Sequence, residues 1–232
     1  MSPAIQVKNL VKRYRKADTD AVNNISFSVE TGEFFALLGP NGAGKTTTIS
    51  ILTTTLVKTS GIVNIAGHDV DTQASAVRKN IGVIFQQPSL DLNLTAEENV
   101  RLHANLYGLY PFRPSYALMP EPYKRRVHEL SEVLGISDIL FDPIKTFSGG
   151  MRRKLEIIRS LMHRPRILFL DEPTPCLDPS SRKNLWEYLQ AVRNRERTTM
   201  FLTTHYLEEA EDADRICIID HGRIVSLGTP TE

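Results

Sequence analysis

The sequence predicts an α/β protein with a mainly parallel sheet, an antiparallel sheet at its N-terminus and an inserted all-helical subdomain. Two segments, Ile5–Val11 and Val22–Val29, are strand-like. The second alternates apolar and polar residues, as an antiparallel strand with one exposed face does. Later apolar runs do not alternate, which is typical of parallel strands covered on both faces. These runs are Phe34–Leu38, Ile81–Phe85, Ile167–Leu170, Met200–Leu202 and Ile216–Ile219.

The helical subdomain is predicted at about residues 96–162, where no convincing strand occurs. Helical patterning covers Ala96–Tyr107, Tyr123–Leu134 and Gly150–Met162, and a proline-rich segment, Tyr110–Pro122, separates the first two helices. We expect this segment to be a surface excursion. The prediction is a single domain over 1–232, whose α/β core combines 1–95 with 163–232.

Composition excludes several functional classes. With 28 basic and 27 acidic residues the net charge is +1, so no overall field draws the protein to nucleic acid or anionic lipid. Cys176 and Cys217 provide neither a disulfide framework nor metal-ligand spacing, which suits a reducing cytoplasm. The N-terminus has no apolar core of signal-peptide length. No stretch approaches the ~20 apolar residues that a membrane helix needs. Any work at a membrane would therefore require a partner protein.

The first chemical motif is Gly-Pro-Asn-Gly-Ala-Gly-Lys-Thr at 39–46, which fits the phosphate-loop pattern G-x-x-x-x-G-K-[ST]. It lies between the apolar run ending at Leu38 and a segment, Thr46–Leu52, that can form a helix. A glycine-rich surface turn with an incidental lysine is the alternative, but this strand–loop–helix context favours a nucleoside triphosphate site. Backbone N–H groups and the helix N-terminus would bind phosphate. Lys45 would reach the β- and γ-phosphates, and the Thr46 hydroxyl would ligate Mg²⁺. The predicted contacts are Gly39, Pro40, Asn41, Gly42, Ala43, Gly44, Lys45, Thr46 and Thr47.

A second motif follows the run Ile167–Leu170, which ends in Asp171 and Glu172. Acidic pairs after apolar runs are common, but with a phosphate loop upstream they indicate a Mg²⁺ site. Asp171 would hold Mg²⁺ through water and Glu172 would act as general base toward the attacking water. His205 follows another strand end. A lone histidine there is most often structural, although strand ends on one sheet edge converge and its imidazole could reach the γ-phosphate.

The segment Phe147–Leu155, Phe-Ser-Gly-Gly-Met-Arg-Arg-Lys-Leu, resembles the LSGGQ signature of ATP-binding cassette (ABC) ATPases. Other family elements occur in the family's order over the entire chain. This resemblance implies a P-loop NTPase of ABC ATPase type that uses ATP and Mg²⁺. It also assigns further residues: Tyr14 to adenine stacking, Gln86 to the Q-loop as catalytic residue and Mg²⁺ ligand, Asp178 to the D-loop and His205 to the switch histidine.

The signature has a physical interpretation of its own. Ser148, Gly149 and Gly150 would open a helix with an N-cap serine and leave room for a close anion. Two helix N-termini can thus bind phosphate, one after the phosphate loop and one at the signature. This suggests that each ATP is sandwiched between two copies of the chain. The resemblance likewise implies a head-to-tail dimer, which we expect to be a homodimer.

Of the two basic clusters, Lys124–Arg126 and Arg152–Lys154, the first is expected to be a solvated face and the second to be exposed on the signature helix.

Two segments, Leu94–Asn99 and Gly150–Glu156, further resemble ATPase subunits of ABC-2-type exporters. This implies an ATP-hydrolysing subunit that powers a separate membrane permease, most often for export, and that lies on the cytoplasmic face of the membrane through that permease. The rival is a soluble ABC ATPase acting on nucleic acid or ribosomes. A single cassette, near-zero charge and no heptads favour transport, so no nucleic-acid partner is expected.

The chain departs from the family pattern at several positions. Met151 stands where glutamine is common, and Cys176 stands where relatives usually have glycine. If that backbone position needs a positive φ, a β-carbon costs about 1–2 kcal/mol. A nucleotide-binding regulator with little turnover is therefore a third interpretation. Many exporter ATPases continue beyond the position of Glu232, so a C-terminal regulatory extension is not expected.

Overall fold

In the computed structural model, which describes residues 2–85, 89–174 and 177–231, the chain forms two compact units. The core unit contains the residues up to Val83, Pro165–Glu172 and the residues from Val192 onward. The helical unit contains Ile84–Arg164 and Pro173–Ala191. The helical subdomain predicted at about 96–162 falls within the helical unit.

The secondary structure follows in chain order. The strands are β1 Ile5–Lys12, β2 Val22–Val29, β3 Phe34–Leu38, β4 Ser60–Ile65, β5 His68–Asp69, β6 Ile81–Ile84, β7 Ile167–Asp171, β8 Thr199–Thr204, β9 Arg215–Asp220 and β10 Arg223–Gly228. The α-helices are α1 Lys45–Leu52, α2 Ala74–Asn80, α3 Ala96–Leu106, α4 Glu121–Val133, α5 Gly149–Leu161 and α6 Pro179–Glu196. Short 3₁₀ turns occur at Tyr116–Leu118, Ser137–Ile139, Ile144–Thr146 and Leu207–Ala210.

The strands form two sheets. One is antiparallel with the order β2-β1-β4-β5, and the other has the order β10-β9-β3-β8-β7-β6. In the second sheet β3 pairs in parallel with β8 and β9, and β7 pairs in parallel with β8, whereas β10 pairs antiparallel with β9. All residues of β3, β7 and β8 are buried, as their apolar runs indicate. The predicted α/β fold class, with its mainly parallel sheet and antiparallel N-terminal sheet, is confirmed.

Aromatic side chains fill the core between the two sheets. The ring of Phe27 from β2 stacks on Phe35 of β3 with centroids 5.4 Å apart, and Phe35 stacks on Phe201 of β8 at 5.5 Å. Phe169 of β7 packs against Phe201 at 5.5 Å. These large apolar groups lock the two sheets together, so the carboxyl ends of β3, β7 and β8 have fixed positions.

The helical unit is built on α3, α4 and α5. Thr95 caps α3 in a capping box with Glu98, which satisfies N–H groups at the start of this helix. The proline-rich segment packs on the unit: the Tyr110 and Tyr116 rings lie edge-on to the buried Tyr123, at 5.5 and 6.3 Å. In addition, the Arg101 guanidinium donates to the carbonyl oxygen of Arg113 at 2.8 Å.

The basic clusters are not simply exposed, and this expectation is wrong for one residue in each. Arg126 is 6% exposed and donates to the carbonyl oxygen of Leu161, the last residue of α5. Arg153 is 3% exposed and also donates to main-chain carbonyl oxygens. A guanidinium can be buried because its several N–H groups find acceptors and its aliphatic stem packs against apolar neighbours.

Within the part of the chain that the structure describes, no helix is long and apolar enough to cross a membrane.

Candidate nucleotide site

The phosphate loop connects the end of β3 to the start of α1, as the motif predicts. Two of its glycines are required by contact. A β-carbon on Gly39 would lie 2.2 Å from the carbonyl oxygen of Ile219, and one on Gly44 would lie 2.5 Å from that of Ala21. Gly44 also has a φ of 106°, which side chains rarely adopt. The loop is thus held against neighbouring backbone in the shape that phosphate binding needs.

Lys45 begins α1 and points back into the loop. Its side chain is 5% exposed, and Nζ donates to the carbonyl oxygens of Gly39 at 2.7 Å and Pro40 at 3.1 Å. Burial lowers the pKa of the Lys45 ammonium, while the charges of Glu172 and Asp171 act in the opposite direction. The ammonium therefore lies inside the loop, where a bound phosphate would be.

Asp171 is the last residue of β7 and is 2% exposed. Its register partner on the parallel strand β8 is Thr203, whose hydroxyl donates to Asp171 Oδ1 at 2.5 Å. This hydrogen bond orients a buried carboxylate at the carboxyl edge of the sheet. No motif identifies Thr203 from the sequence, although the polar pair Thr203 and Thr204 at the end of an apolar strand is a detectable signal.

Glu172 follows with a backbone φ of 45°, which is unusual for a residue with a side chain. Its N–H donates to the carbonyl oxygen of Thr203 at 3.0 Å, so the chain still pairs with β8 where it turns. Glu172 Oε1 lies 3.2 Å from His205 Nδ1 and 3.9 Å from Lys45 Nζ. The structure thus brings together three of the predicted residues, Lys45, Glu172 and His205, at the ends of neighbouring strands.

Tyr14 lies at the edge of this site. Its ring is 44% exposed, and its hydroxyl is 3.3 Å from Oγ1 of Thr47 in α1. The Lys12 ammonium lies 5.3 Å from the ring centroid. An exposed aromatic face beside the phosphate loop is suited to stacking with a nucleotide base.

The signature residues belong to the helical unit. Ser148 is the N-cap of α5: its hydroxyl accepts from the N–H of Met151 at 3.2 Å, and its own N–H donates to the Met151 sulfur at 3.5 Å. The N-cap predicted for Ser148 is therefore observed, and Ser148 and Gly149 are exposed. In the same unit, Asp178 accepts from the Ser180 hydroxyl at 2.7 Å. Gln86 and Cys176 lie outside the described residues.

Comparison with known proteins identifies the family. The family model described as ABC transporter matches residues 22–175. The chain is 43% identical to the daunorubicin/doxorubicin resistance ATP-binding protein DrrA of Streptomyces peucetius, over 99% of this chain and 66% of DrrA. It is 38% identical to the linearmycin resistance ATP-binding protein LnrL of Bacillus subtilis, over 98% of this chain and 70% of LnrL. The chain belongs to the ABC transporter ATP-binding family.

Solved structures agree with this assignment. An ATP-binding subunit of an ABC transporter has a TM-score of 0.85 and 31% identity, covering 97% of this chain and 90% of that one. A dimeric ATP-binding cassette in a post-hydrolysis state, bound to ADP and phosphate, has a TM-score of 0.86 and 26% identity, covering 97% and 98%. The predicted family, the fold class and the ATPase class are confirmed, and ATP is the nucleotide of this family.

The relatives also bear on the rival interpretation. The matching family model is described as ABC transporter, and DrrA and LnrL are named as resistance ATP-binding proteins, so an ABC ATPase of nucleic acid or ribosomes is not favoured. The chain spans about two thirds of the length of the curated relatives it matches.

Proposed function

We propose that this chain is the ATP-hydrolysing subunit of an ABC exporter, acting as a head-to-tail homodimer on the cytoplasmic face of a membrane through a separate permease. The observation that carries the catalytic part is the convergence of Lys45, Glu172 and His205. The Glu172 carboxylate lies 3.9 Å from the Lys45 ammonium and 3.2 Å from the His205 imidazole, so a cation for the γ-phosphate and an imidazole both lie next to the proposed base.

The chemistry follows from these three groups. Lys45 binds the β- and γ-phosphate oxygens and neutralises their charge. Glu172 accepts a proton from the attacking water, whose oxygen bonds to the γ-phosphorus while the bond to the β-phosphate oxygen breaks, leaving ADP and phosphate. His205, which contacts the Glu172 carboxylate, orients it and donates a hydrogen bond to the γ-phosphate.

The donor set fits Mg²⁺. Within the described ranges no group of three or more His, Cys, Asp or Glu side chains could hold a metal ion. Mg²⁺ differs from most metals in that it is commonly bound through one or two carboxylates together with substrate phosphates. Asp171, with its buried and hydrogen-bonded carboxylate, and the exposed Thr46 supply hard oxygen donors of this kind. Gln86 is the further ligand proposed from the family pattern, and bound Mg²⁺ would supply charge neutralisation of the phosphates.

Dimerisation is proposed from the α5 N-terminus. Ser148 and Gly149 are exposed at this helix end, which together with Gly150 can attract phosphate, and Asp178 lies in the same unit. Two solved structures of one relative are described as dimeric. We propose that these residues complete the ATP site of the opposite copy.

Export is proposed from the relatives. DrrA and LnrL are named for resistance, and a further relative, the Nod factor export ATP-binding protein I of Ralstonia nicotianae, is 37% identical over 100% of this chain and 68% of that protein. The transported molecule would be bound by the permease.

The test combines hydrolysis with recovery of partners. Phosphate release by the purified chain should require Mg²⁺ and should rise in specific activity with protein concentration until dimers dominate. A tagged chain purified from detergent extracts should recover an integral membrane protein that stimulates hydrolysis in lipid. Recovery of ribosomes or DNA in place of a membrane protein would contradict the transport function.

A further inference from the structure

Arg153 lies one turn into the helix that begins at the signature, and it is 3% exposed. Its Nε donates to the carbonyl oxygen of Pro173 at 2.8 Å, and its Nη1 donates to the carbonyl oxygen of Phe85 and to Glu156 Oε2. Phe85 directly precedes Gln86 in the sequence, and Pro173 directly follows Glu172. One guanidinium thus binds the main chain next to two residues of the proposed mechanism.

Glu156 extends this contact to the other side of the Gln86 segment. It is fully buried, and its Oε1 accepts from the N–H of Ser89 at 3.0 Å. Burial raises the pKa of the Glu156 carboxyl, which the backbone N–H of Ser89 and the charges of Arg153 and Arg159 oppose. Arg159, one turn further along, donates to the Ser89 carbonyl oxygen at 2.6 Å and to its hydroxyl at 2.7 Å.

The three residues lie at spacings of three along α5, so they share one face of the helix. Between them they hold Phe85 and Ser89, the described residues on either side of positions 86–88. Every contact involved lies within the helical unit.

Stability alone does not account for this arrangement. Burying opposite charges has a large desolvation cost, and apolar residues of similar volume often stabilise a fold equally well. What the charged groups add is directional hydrogen bonding to specific backbone atoms.

We propose that Arg153, Glu156 and Arg159 are positioning residues that fix both flanks of the Gln86 segment to the signature helix. The chain on both sides of positions 86–88 is thereby tied to the helix that begins at Ser148. This inference rests on the proposed function, because it acts through Gln86.

The test removes the ion pair without leaving a buried charge. The double variant Arg153→Met/Glu156→Leu should keep the fold, since both partners become apolar. Glu156→Gln, which retains an acceptor for the Ser89 N–H, provides a milder second variant. The matched control is Arg126→Met, because Arg126 is also a buried arginine of the helical unit, and its guanidinium donates instead to Glu129 and to the carbonyl oxygen of Leu161.

Two readouts separate positioning from general damage. The Kd for ATP should change less than about twofold, whereas kcat should fall at least about tenfold, because misplacement slows a reaction more than it weakens binding. When the double variant is combined with Gln86→Ala, kcat should equal that of the more impaired parent, because both changes act through one group. Arg126→Met should show neither effect.

The proposal would be overturned if the fold-losses of kcat from the double variant and from Gln86→Ala multiplied when the changes are combined. It would also be overturned if Arg126→Met lost as much kcat as the double variant. An unchanged kcat in both Arg153→Met/Glu156→Leu and Glu156→Gln would overturn it as well. These outcomes differ from failure of the proposed function, in which the wild-type chain itself would not hydrolyse ATP or Glu172→Gln would hydrolyse it at the wild-type rate.

Discussion

The Nζ atom of Lys45 lies 3.9 Å from Oε1 of Glu172, and both side chains are largely buried. The two residues are far apart in the sequence, and the parallel order of β3, β8 and β7 brings their strand ends to one edge of the sheet. A γ-phosphate held by Lys45 would therefore be within reach of the Glu172 carboxylate. The same proximity means that the charge of Glu172 affects nucleotide binding as well as hydrolysis.

Glu172→Gln should lower kcat by about 100-fold or more, because an amide cannot accept the proton of the attacking water. The Kd for ATP should not increase, because a negative charge near the triphosphate is removed. Single-turnover hydrolysis and equilibrium binding of a fluorescent ATP analogue measure the two effects. Glu209→Gln is a suitable control, since Glu209 is a buried carboxylate that accepts a hydrogen bond from the Thr204 hydroxyl. A turnover rate within a few-fold of wild type would show that Glu172 is not the base.

Thr203→Val should lower the affinity of the site for Mg²⁺ without unfolding the protein. The Thr203 hydroxyl orients Asp171, and loss of such a supporting hydrogen bond typically costs 10- to 100-fold in metal affinity. The measurement is the Mg²⁺ concentration that gives half-maximal ATPase activity. Thr204→Val serves as control, because it removes an equally buried hydroxyl–carboxylate bond, to Glu209. Equal shifts in the two variants would argue against a role of Thr203 through Asp171.

Sequence patterns predicted the elements that are uniformly apolar and missed those that are not. β3, β7 and β8 are buried on both faces, so their runs were readily detected. β10 is largely exposed and α6 is rich in polar residues, so neither was predicted from the sequence. Such elements form because of contacts with their neighbours, as β10 does by pairing with β9, and their own sequences carry no strong pattern.

Sequence patterns identify the candidate site residues but not the contacts that support them. The phosphate-loop pattern identifies Lys45 because the motif constrains neighbouring positions along the chain. The positive φ of Glu172 and the hydrogen bond from Thr203 arise from pairing between distant strands, which no local pattern records. Burial of Arg153 likewise depends on acceptors at Phe85 and Pro173 that are remote in sequence.

Stability should fall in mild acid because of His103. Burial, together with the charges of Arg159 and His163, lowers the pKa of His103 from its ordinary 6.5 to about 3. Between these values the unfolded chain binds a proton at this position and the folded chain does not. The free energy of unfolding therefore decreases as pH falls below about 6.5, by up to about 1.4 kcal/mol per pH unit.

Urea unfolding at pH 7.5 and at pH 5.0 measures this effect. His103→Gln should lose less stability between the two pH values than the wild type does. His128→Gln is the control, because the His128 side chain is 65% exposed. An identical pH dependence in wild type and His103→Gln would contradict the assignment.

Two inactive variants should restore activity when mixed, if each ATP site combines the phosphate loop of one copy with the signature helix of the other. Lys45→Ala removes the cation that neutralises the phosphates. Ser148→Asp retains a good N-cap for α5 but places a negative charge where the γ-phosphate would bind, and Ser148→Asn retains the cap without the charge. We expect each of the first two variants to be inactive alone and Ser148→Asn to keep most of its activity.

In a heterodimer of Lys45→Ala with Ser148→Asp, one site carries both changes and the other carries neither. With random pairing, an equimolar mixture should have about one quarter of the wild-type specific activity, because half of the dimers are mixed and each has one intact site. Phosphate release after incubation of the two proteins together measures this recovery, and the same mixture with Glu172→Gln added to the Ser148→Asp chain should show none. That control removes the base from the only chain of the mixed dimer with an intact phosphate loop. Activity that persisted in the control mixture would contradict the composite site. So would a mixture of Lys45→Ala and Ser148→Asp that is no more active than its components.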